Sequence, residues 1–537
     1  MRASTATAVI IVAFLQLWCL VTPCLSFGII STMKFRQSRA SNDPFREPFS
    51  LVAPQRTHRR RRRPRDIVQL YDASTSATTF EALEEDLDEM IGAWIPLFSA
   101  SALKGLGPQR VHVMGLELAV WQANATGPWA VMTDACPHRL APLSQGRVDP
   151  LTNCIECPYH GWQFDTNGTL KNVPQLEANR TVDMIKGGDA TSLPVHQAGD
   201  LIFVFLPSSV HGEMFPQTLL PEDMYPTLRE EISRNATYFT RDLPYSTDFL
   251  IENFMDPAHI PFAHHSLQSV RSDARDIPMR IYVSNFTHVE VFFEDESRGK
   301  KRDGIVSWQR PSVYHFRTKR DNGTYATDLN IYIVPVKAGR SRVMFSSRFF
   351  PWIPTWLTHA ASNRFLNTDT WLHDAELVAR TRSTKALNYI FGSQSDMGVR
   401  AFRQWWLKQG FSSSPPNTFG PSSPEDLKPL TRREQIDPWE YHTKHCSSCR
   451  RSLKVMKRIQ RGSLFAGIAS AVLLRNAPLR ACLTAGIALY IRYLAIKTAT
   501  ALEGNPYPSG VADRSPAHTE NYEDLSFGNR LRFKLGR

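Results

Sequence analysis

The stretch from Cys136 to His160, CPHRLAPLSQGRVDPLTNCIECPYH, constrains this chain more than any other. It holds two short pairs of metal-ligating residues, Cys136-x-His138 and Cys157-x2-His160, separated by eighteen residues. Each pair sits beside a proline, in C-P-H and C-P-Y-H-G, as in tight loops. Two thiolates and two imidazoles, one of each per loop, suit a [2Fe–2S] centre in which one iron carries both sulfurs and the other both histidines. Neutral imidazoles leave less negative charge on the cluster than thiolates would, so it accepts an electron more readily. A structural zinc knuckle uses the same residue types, but zinc fingers more often pair Cys with Cys and His with His. A Cys136–Cys157 disulfide is a third reading of the same residues.

A second constellation follows at residues 252–265, ENFMDPAHIPFAHH, where Asn253, Asp256, His259 and His264 keep the spacing N-x2-D-x2-H-x4-H. On a helix, steps of three to five residues hold such side chains on one broad face. Two histidines joined by a carboxylate from elsewhere make the facial triad of non-haem iron, which leaves metal positions open for oxygen. A helical His pair alone is as readily structural or zinc-binding. Downstream of the first motif it points to iron. The missing carboxylate is expected on a later helix, and FLNTDTWLHDAELV at residues 365–378 offers Asp369 and Asp374.

At 537 residues the chain exceeds one ordinary core, and two domains with appendages are expected. Residues 1–26 have the charged, apolar and small-residue order of a signal peptide, with a retained anchor as the alternative. Residues 27–75 are Arg- and Ser-rich, like a transit segment. Short alternating runs predict a compact β domain over 90–207, with both ligand loops at its tip. Residues 208–410 predict an antiparallel sheet wrapped on the Asn253–His264 helix, an α+β arrangement that encloses an apolar cavity. Pro- and Ser-rich sequence opens a linker over 411–460, and two apolar runs within 461–502 predict a membrane-seated hairpin before a tail at 503–537. The second run carries Arg492 and Lys497, costly at mid-bilayer unless they snorkel. Net charge is +12, yet the excess is local, as in the unbroken run Arg59–Arg63. No basic stripe interleaved with aromatics suggests nucleic-acid binding.

Within the linker, Cys446-x2-Cys449 is flanked by Lys444, His445, Arg450 and Arg451, cations that favour thiolates. The pair is expected to act as a dithiol switch or an electron relay; the bland reading is a solvent-exposed pair without a role. No second Cys or His pair nearby in sequence supports zinc.

The first motif resembles the Rieske domain of Rieske-type non-haem iron oxygenases. WIPLFSASAL, CPHRLAPLSQGRV, CPYHGWQF, NVPQ, ENFMDPAHIPFAHH, the H-C-S-S-C pair and the late hydrophobic hairpin resemble the plastid branch of that family, the pheophorbide a oxygenase-like one. Chlorophyllide a oxygenases are similar but usually lack the CxxC pair. The resemblance implies an all-β [2Fe–2S] domain followed by a helix-grip-like catalytic domain with mononuclear iron. It implies cluster ligands at Cys136, His138, Cys157 and His160, and iron ligands at His259, His264 and Asp369, whose context fits the family better than that of Asp374. Asp256 is implied to bridge histidines of the two centres across subunits of a head-to-tail homotrimer, with Asn253 orienting the site. Reduced ferredoxin refilled from NADPH, O2, a tetrapyrrole substrate and a plastid membrane are the implied partners, with thioredoxin a further one for Cys446 and Cys449. A bipartite presequence like that of algae with extra plastid membranes is consistent with this setting. The non-enzymatic alternative is a membrane-bound redox sensor or translocon component, with an empty mononuclear site.

Overall fold

The computed structural model describes residues 92–206, 217–297, 300–301, 303–319, 325–346, 353–382, 389–408 and 428–504. The presequence, the acidic stretch before Met90, the Pro- and Ser-rich segment at 411–424 and the tail beyond 504 lie outside the described residues.

The alternating runs of the first unit become short antiparallel sheets. Gln109–Val113, Leu116–Gln122, Trp129–Thr133 and Ser192–Leu193 form one, and Ala93–Ser99, Leu201–Leu206 and Val195–Ala198 another. LIFVFL at 201–206 is buried throughout, as expected of a strand covered on both faces. Each of its large side chains contributes about 1.5–3 kcal/mol by leaving water. A third sheet of two- and three-residue strands, Arg147–Val148, Ile155–Glu156, Gln163–Phe164 and Leu170–Asn172, carries the second ligand loop. It has its own small core, in which Trp121, Phe164, Leu143 and Ile155 pack around Cys136 and Cys157.

The second unit is a seven-stranded antiparallel sheet in the order Tyr238–Leu243, Arg340–Ser346, Tyr325–Lys337, Val313–Lys319, Gly304–Gln309, His288–Phe293 and Met279–Ser284. Helix α1 (Thr247–Phe254) packs on it, followed in the chain by α2 (Thr355–Leu366), α3 (Leu372–Arg382) and α4 (Met397–Lys408). Buried charge fixes α1: Asp248 accepts from Arg380 of α3 at 3.0 Å and from Arg403 of α4 at 2.8 Å. Removing one partner of such a buried pair typically costs about 3–5 kcal/mol.

The two units share one buried apolar cluster and are also joined through polar contacts. The Met114-Gly115 turn, with positive φ at both residues, donates its backbone N–H groups to Pro335 O at 2.8 Å and Val336 O at 3.0 Å. Arg342 pairs with Asp242 at 2.7 Å on the adjacent strand and donates to Leu97 O of the first unit at 3.0 Å.

The C-terminal hairpin comprises α5 (Ser447–Leu473) and α6 (Pro478–Glu503). Helix α5 starts directly after Cys446, so residues 447–460, assigned to a linker from composition, are helical. Its early turns are polar and highly charged, which hid the periodicity from a hydrophobicity reading. Among the described residues only α6 is long and apolar enough to cross a membrane.

Candidate functional site

The two ligand loops repeat one backbone pattern. Cys136 N–H donates to Ala141 O at 2.9 Å and Leu140 N–H to Cys136 O at 2.8 Å; Cys157 N–H donates to Trp162 O at 2.8 Å and Gly161 N–H to Cys157 O at 3.1 Å. The fourth residue after each cysteine turns back with positive φ, 56° at Leu140 and 71° at Gly161. A non-glycine residue there is uncommon, and Leu140 is accommodated because its side chain is exposed. Asp134 anchors the first loop by accepting from Ser144 N–H at 2.7 Å and Ser144 O–H at 2.6 Å.

Cys136 and Cys157 are buried, and burial followed by the adjacent Cys157 sulfur pushes the Cys136 thiol up to about 12. His138 and His160 lie at the outer edge with ring centroids 4.7 Å apart, and His138 stacks on Trp162 at 4.5 Å. Burial, then His160, holds the His138 imidazole below its usual range. Sulfurs gathered inside and imidazoles gathered outside are the segregation a two-iron centre requires.

The second constellation spans a break in the helix. After α1 ends, Pro257–His259 and Ile260–Ala263 form two short turns that swing His259 and His264 together. Their Nε2 atoms lie 3.3 Å apart, and His264 Nε2 is 3.3 Å from Asp369 Oδ2. Thr368 O–H donates to Phe365 O, so its oxygen accepts from His264 Nδ1–H at 2.7 Å. His259 Nδ1–H donates to Asp256 O. Both rings therefore present unprotonated Nε2 atoms inward, a common arrangement of metal-binding histidines. Asn253 Nδ2 donates to Asp369 Oδ2 at 3.4 Å, while Asp369 Oδ1 is buried without a protein partner. Burial raises Asp369 to about 6, and burial with the neighbouring His259 lowers His264 to about 3. Two imidazoles and a buried carboxylate with a spare oxygen fit a divalent iron with open positions.

Asp374 lies elsewhere, exposed on α3 and accepting from Gln435 at 3.0 Å. Asp256 is not part of the His259–His264–Asp369 convergence. Its carboxylate accepts from Ala258 N–H at 2.8 Å and lines a cleft of about 570 Å³ together with His259, Asp276 and Asp396. Thr368 was absent from the expected set, and only its place beside Asp369 in sequence hinted at it.

The expectation for Cys446 and Cys449 changes most. Neither is solvent-exposed: both are buried, with His359 and His442 in contact. Cys446 is held well below its usual range chiefly by the Cys449 sulfur, then by His442 and His359, rather than by the flanking Lys and Arg residues. Cys449 is held above its range. His442 was legible as the start of an H-x3-C-x2-C run; His359 lies 87 residues from Cys446 and was not.

The Rieske [2Fe-2S] domain family matches residues 93–191. The chain is 29% identical over 444 residues to "Pheophorbide a oxygenase, chloroplastic" of Oryza sativa subsp. japonica, covering 76% of this chain and 80% of that protein. It is 29% identical over 420 residues to "Flavonoid 8-hydroxylase 2, chloroplastic" of Ocimum basilicum, covering 71% and 76%. It is 28% identical over 420 residues to "Protochlorophyllide-dependent translocon component 52, chloroplastic" of Arabidopsis thaliana, covering 68% and 74%. The chain carries a Rieske [2Fe-2S] domain and, over most of its length, is similar to Rieske-type non-haem iron oxygenases. Among them it is similar to the pheophorbide a oxygenase-like branch; the Rieske domain implies a [2Fe–2S] cluster, and His259, His264 and Asp369 form a donor group that fits a mononuclear iron.

Proposed function

We propose that this protein is a ferredoxin-dependent oxygenase of a plastid tetrapyrrole, with pheophorbide a as first substrate. The observation that carries the oxygenase chemistry is the convergence of His259, His264 and Asp369 within 4.8 Å of one another. The choice of substrate rests on the similarity to pheophorbide a oxygenase over 80% of that protein's length. A second reading, oxygenation of another flat polycycle such as a flavonoid, is favoured by the comparable identity to flavonoid 8-hydroxylase. Protochlorophyllide, chlorophyllide and bilins remain within the first reading. Plastid residence draws support from relatives that are all chloroplastic.

In this reading Cys136 and Cys157 hold one iron of the cluster and His138 and His160 the other. His259, His264 and Asp369 hold the mononuclear iron, which when bound supplies activation of O2. Thr368 fixes the His264 tautomer and Asn253 orients Asp369, so neither ligand spends binding energy on finding its geometry. Phe365, stacked on His264 at 4.0 Å, keeps one wall of the site apolar and excludes water from it. In a head-to-tail trimer Asp256 would bridge a cluster histidine of a neighbouring subunit and an iron-site histidine, linking the two centres for electron transfer. Its position on the neighbouring cleft rather than among the iron donors supports that role. Arg139, exposed beside His138 on the cluster tip, is opposite in charge to the carboxylates of that cleft and so complementary to them. An exchange partner such as thioredoxin would require Cys446 and Cys449 to be reachable, and their burial speaks against it.

The test supplies reduced ferredoxin, pheophorbide a and 18O2 to the iron-loaded protein and follows the product by mass spectrometry. A ring-opened, labelled product is expected. Absence of product from protein carrying about three irons per chain removes pheophorbide a and leaves the class. A count of about two irons, with the mononuclear site empty, overturns the oxygenase in favour of the sensor.

A further inference from the structure

Besides the His259 cluster, one other group of donor atoms among the described residues converges within 4.8 Å: His359, His442, Cys446 and Cys449. We propose that these four side chains form a structural Cys2His2 site for a divalent cation of zinc type, which clamps the C-terminal hairpin to the catalytic unit. The site is separate from both iron centres and serves neither in the oxygenase reading.

The distances are those of a tetrahedron. Metal bonds of about 2.3 Å to sulfur and about 2.0 Å to nitrogen, at the tetrahedral angle, set sulfur–nitrogen separations near ~3.5 Å. Cys449 Sγ lies 3.3 Å from His442 Nε2 and 3.6 Å from His359 Nδ1, and Cys446 Sγ lies 3.5 Å from His359 Nδ1. The outer contacts fit as well. His442 Nδ1–H donates to Thr240 O at 2.6 Å, which fixes the tautomer with a bare Nε2 facing the sulfurs. A histidine held by a backbone carbonyl in this way is the usual support of a bound metal. Phe239 closes the site, edge-on to His359 at 5.2 Å and tilted against His442 at 4.6 Å.

Charge decides between a metal and a disulfide. A divalent cation bound by two thiolates and two neutral imidazoles has no net charge, and two thiol protons leave as it enters. A neutral centre tolerates the burial found here, where all four residues are 3% exposed or less. A Cys446–Cys449 disulfide would leave two imidazole nitrogens facing sulfur without a donor, at about 1–3 kcal/mol each.

The elements joined show what the ion would do. His359 stands on α2, Cys446 and Cys449 open α5, and Thr240 belongs to the first strand of the seven-stranded sheet. The buried apolar cluster at this junction is small, with Leu453, Ala499 and Leu502 around the two cysteines. Cores of that size generally need a staple. The same α2 leads directly to Asp369, so the clamp also braces the helix that delivers a carboxylate to the iron site.

Elemental analysis of the full chain, purified under reducing conditions, tests the proposal. About one zinc per chain is expected beside the irons. In Cys449→Ser and in His442→Ala, zinc retained after dialysis against a chelator should fall at least ~10-fold, with the visible spectrum of the [2Fe–2S] cluster unchanged. Should both variants fail to fold, X-ray absorption at the zinc edge of the wild type decides. Two sulfurs at about 2.3 Å and two nitrogens at about 2.0 Å are expected. Wild-type protein without zinc, a Cys446–Cys449 disulfide in its place, undiminished zinc in both folded variants, or a sulfur-free zinc shell would each overturn the site.

Discussion

Helix α2 has a donor cluster at each end, and the two clusters are built on opposite plans. Near its start His359 meets His442, Cys446 and Cys449; just past its end Asp369 meets His259 and His264. The first set has four donors, two of them soft sulfurs, enough to saturate a tetrahedral ion. The second has three, all nitrogen or oxygen, and a carboxylate oxygen left over, which keeps metal positions open. Closed sites hold structure and open sites do chemistry. The surroundings follow the same division. The four-donor set sits behind Phe239 in a buried junction, whereas His259 reaches a cleft of about 570 Å³.

The largest expected effect separates the two ends outright. His264→Ala should reduce turnover to background and lower the iron content from about three to about two per chain, with the [2Fe–2S] spectrum intact. Measurable turnover, or an unchanged iron count, would remove His264 from the ligand set. Asp256→Asn is the next test, because Asp256 faces the cleft and not the donors. Turnover should fall on the order of 100-fold while both iron centres stay loaded. An active, fully loaded variant rejects the bridging role.

Thr368→Val removes the acceptor of His264 Nδ1–H together with the hydroxyl's own donation to Phe365 O, and iron affinity or activity should drop about 10–100-fold, read by iron titration and single-turnover rate. No change would mean that the tautomer is fixed by something other than Thr368. The smallest effect concerns the strand that carries Thr240. Its Asp242, paired with Arg342, has a pKa below the usual carboxylate range; burial opposes this and Arg342 outweighs it. The stabilisation is therefore full above the unfolded value of about 3.9 and is lost as pH falls through the folded one. Asp242→Asn should cost about 1.5–3 kcal/mol near neutral pH, and denaturant melts of variant and wild type should converge at lower pH. A difference that does not depend on pH would assign the effect to packing.

Reading along the chain went furthest where the chemistry is local. The ligand loops and the His259–His264 turns rest on contacts between residues within a few positions of each other, and the alternation that marks each strand is equally local. Proline, glycine and alternating apolar residues announce such contacts. Asp369 and Asp374 could not be separated on this basis, since both stand in one apolar helical run. Packing of α3 against α1 turns Asp374 to solvent, and the turn Asn367–Asp369 buries the other.

Sequence by itself therefore determined the cluster motif, the histidine pair and the fold class. Tertiary structure decided which carboxylate joins the histidines, that Asp256 lines the neighbouring cleft instead, and that Cys446 and Cys449 are enclosed with two histidines. The physical reason lies in range. Loop geometry is set by hydrogen bonds spanning four or five residues, as at Cys136 and Cys157. His359 and Cys446, 87 residues apart, meet only because a sheet, α2 and α5 pack against one another. No short-range pattern in the chain encodes that meeting.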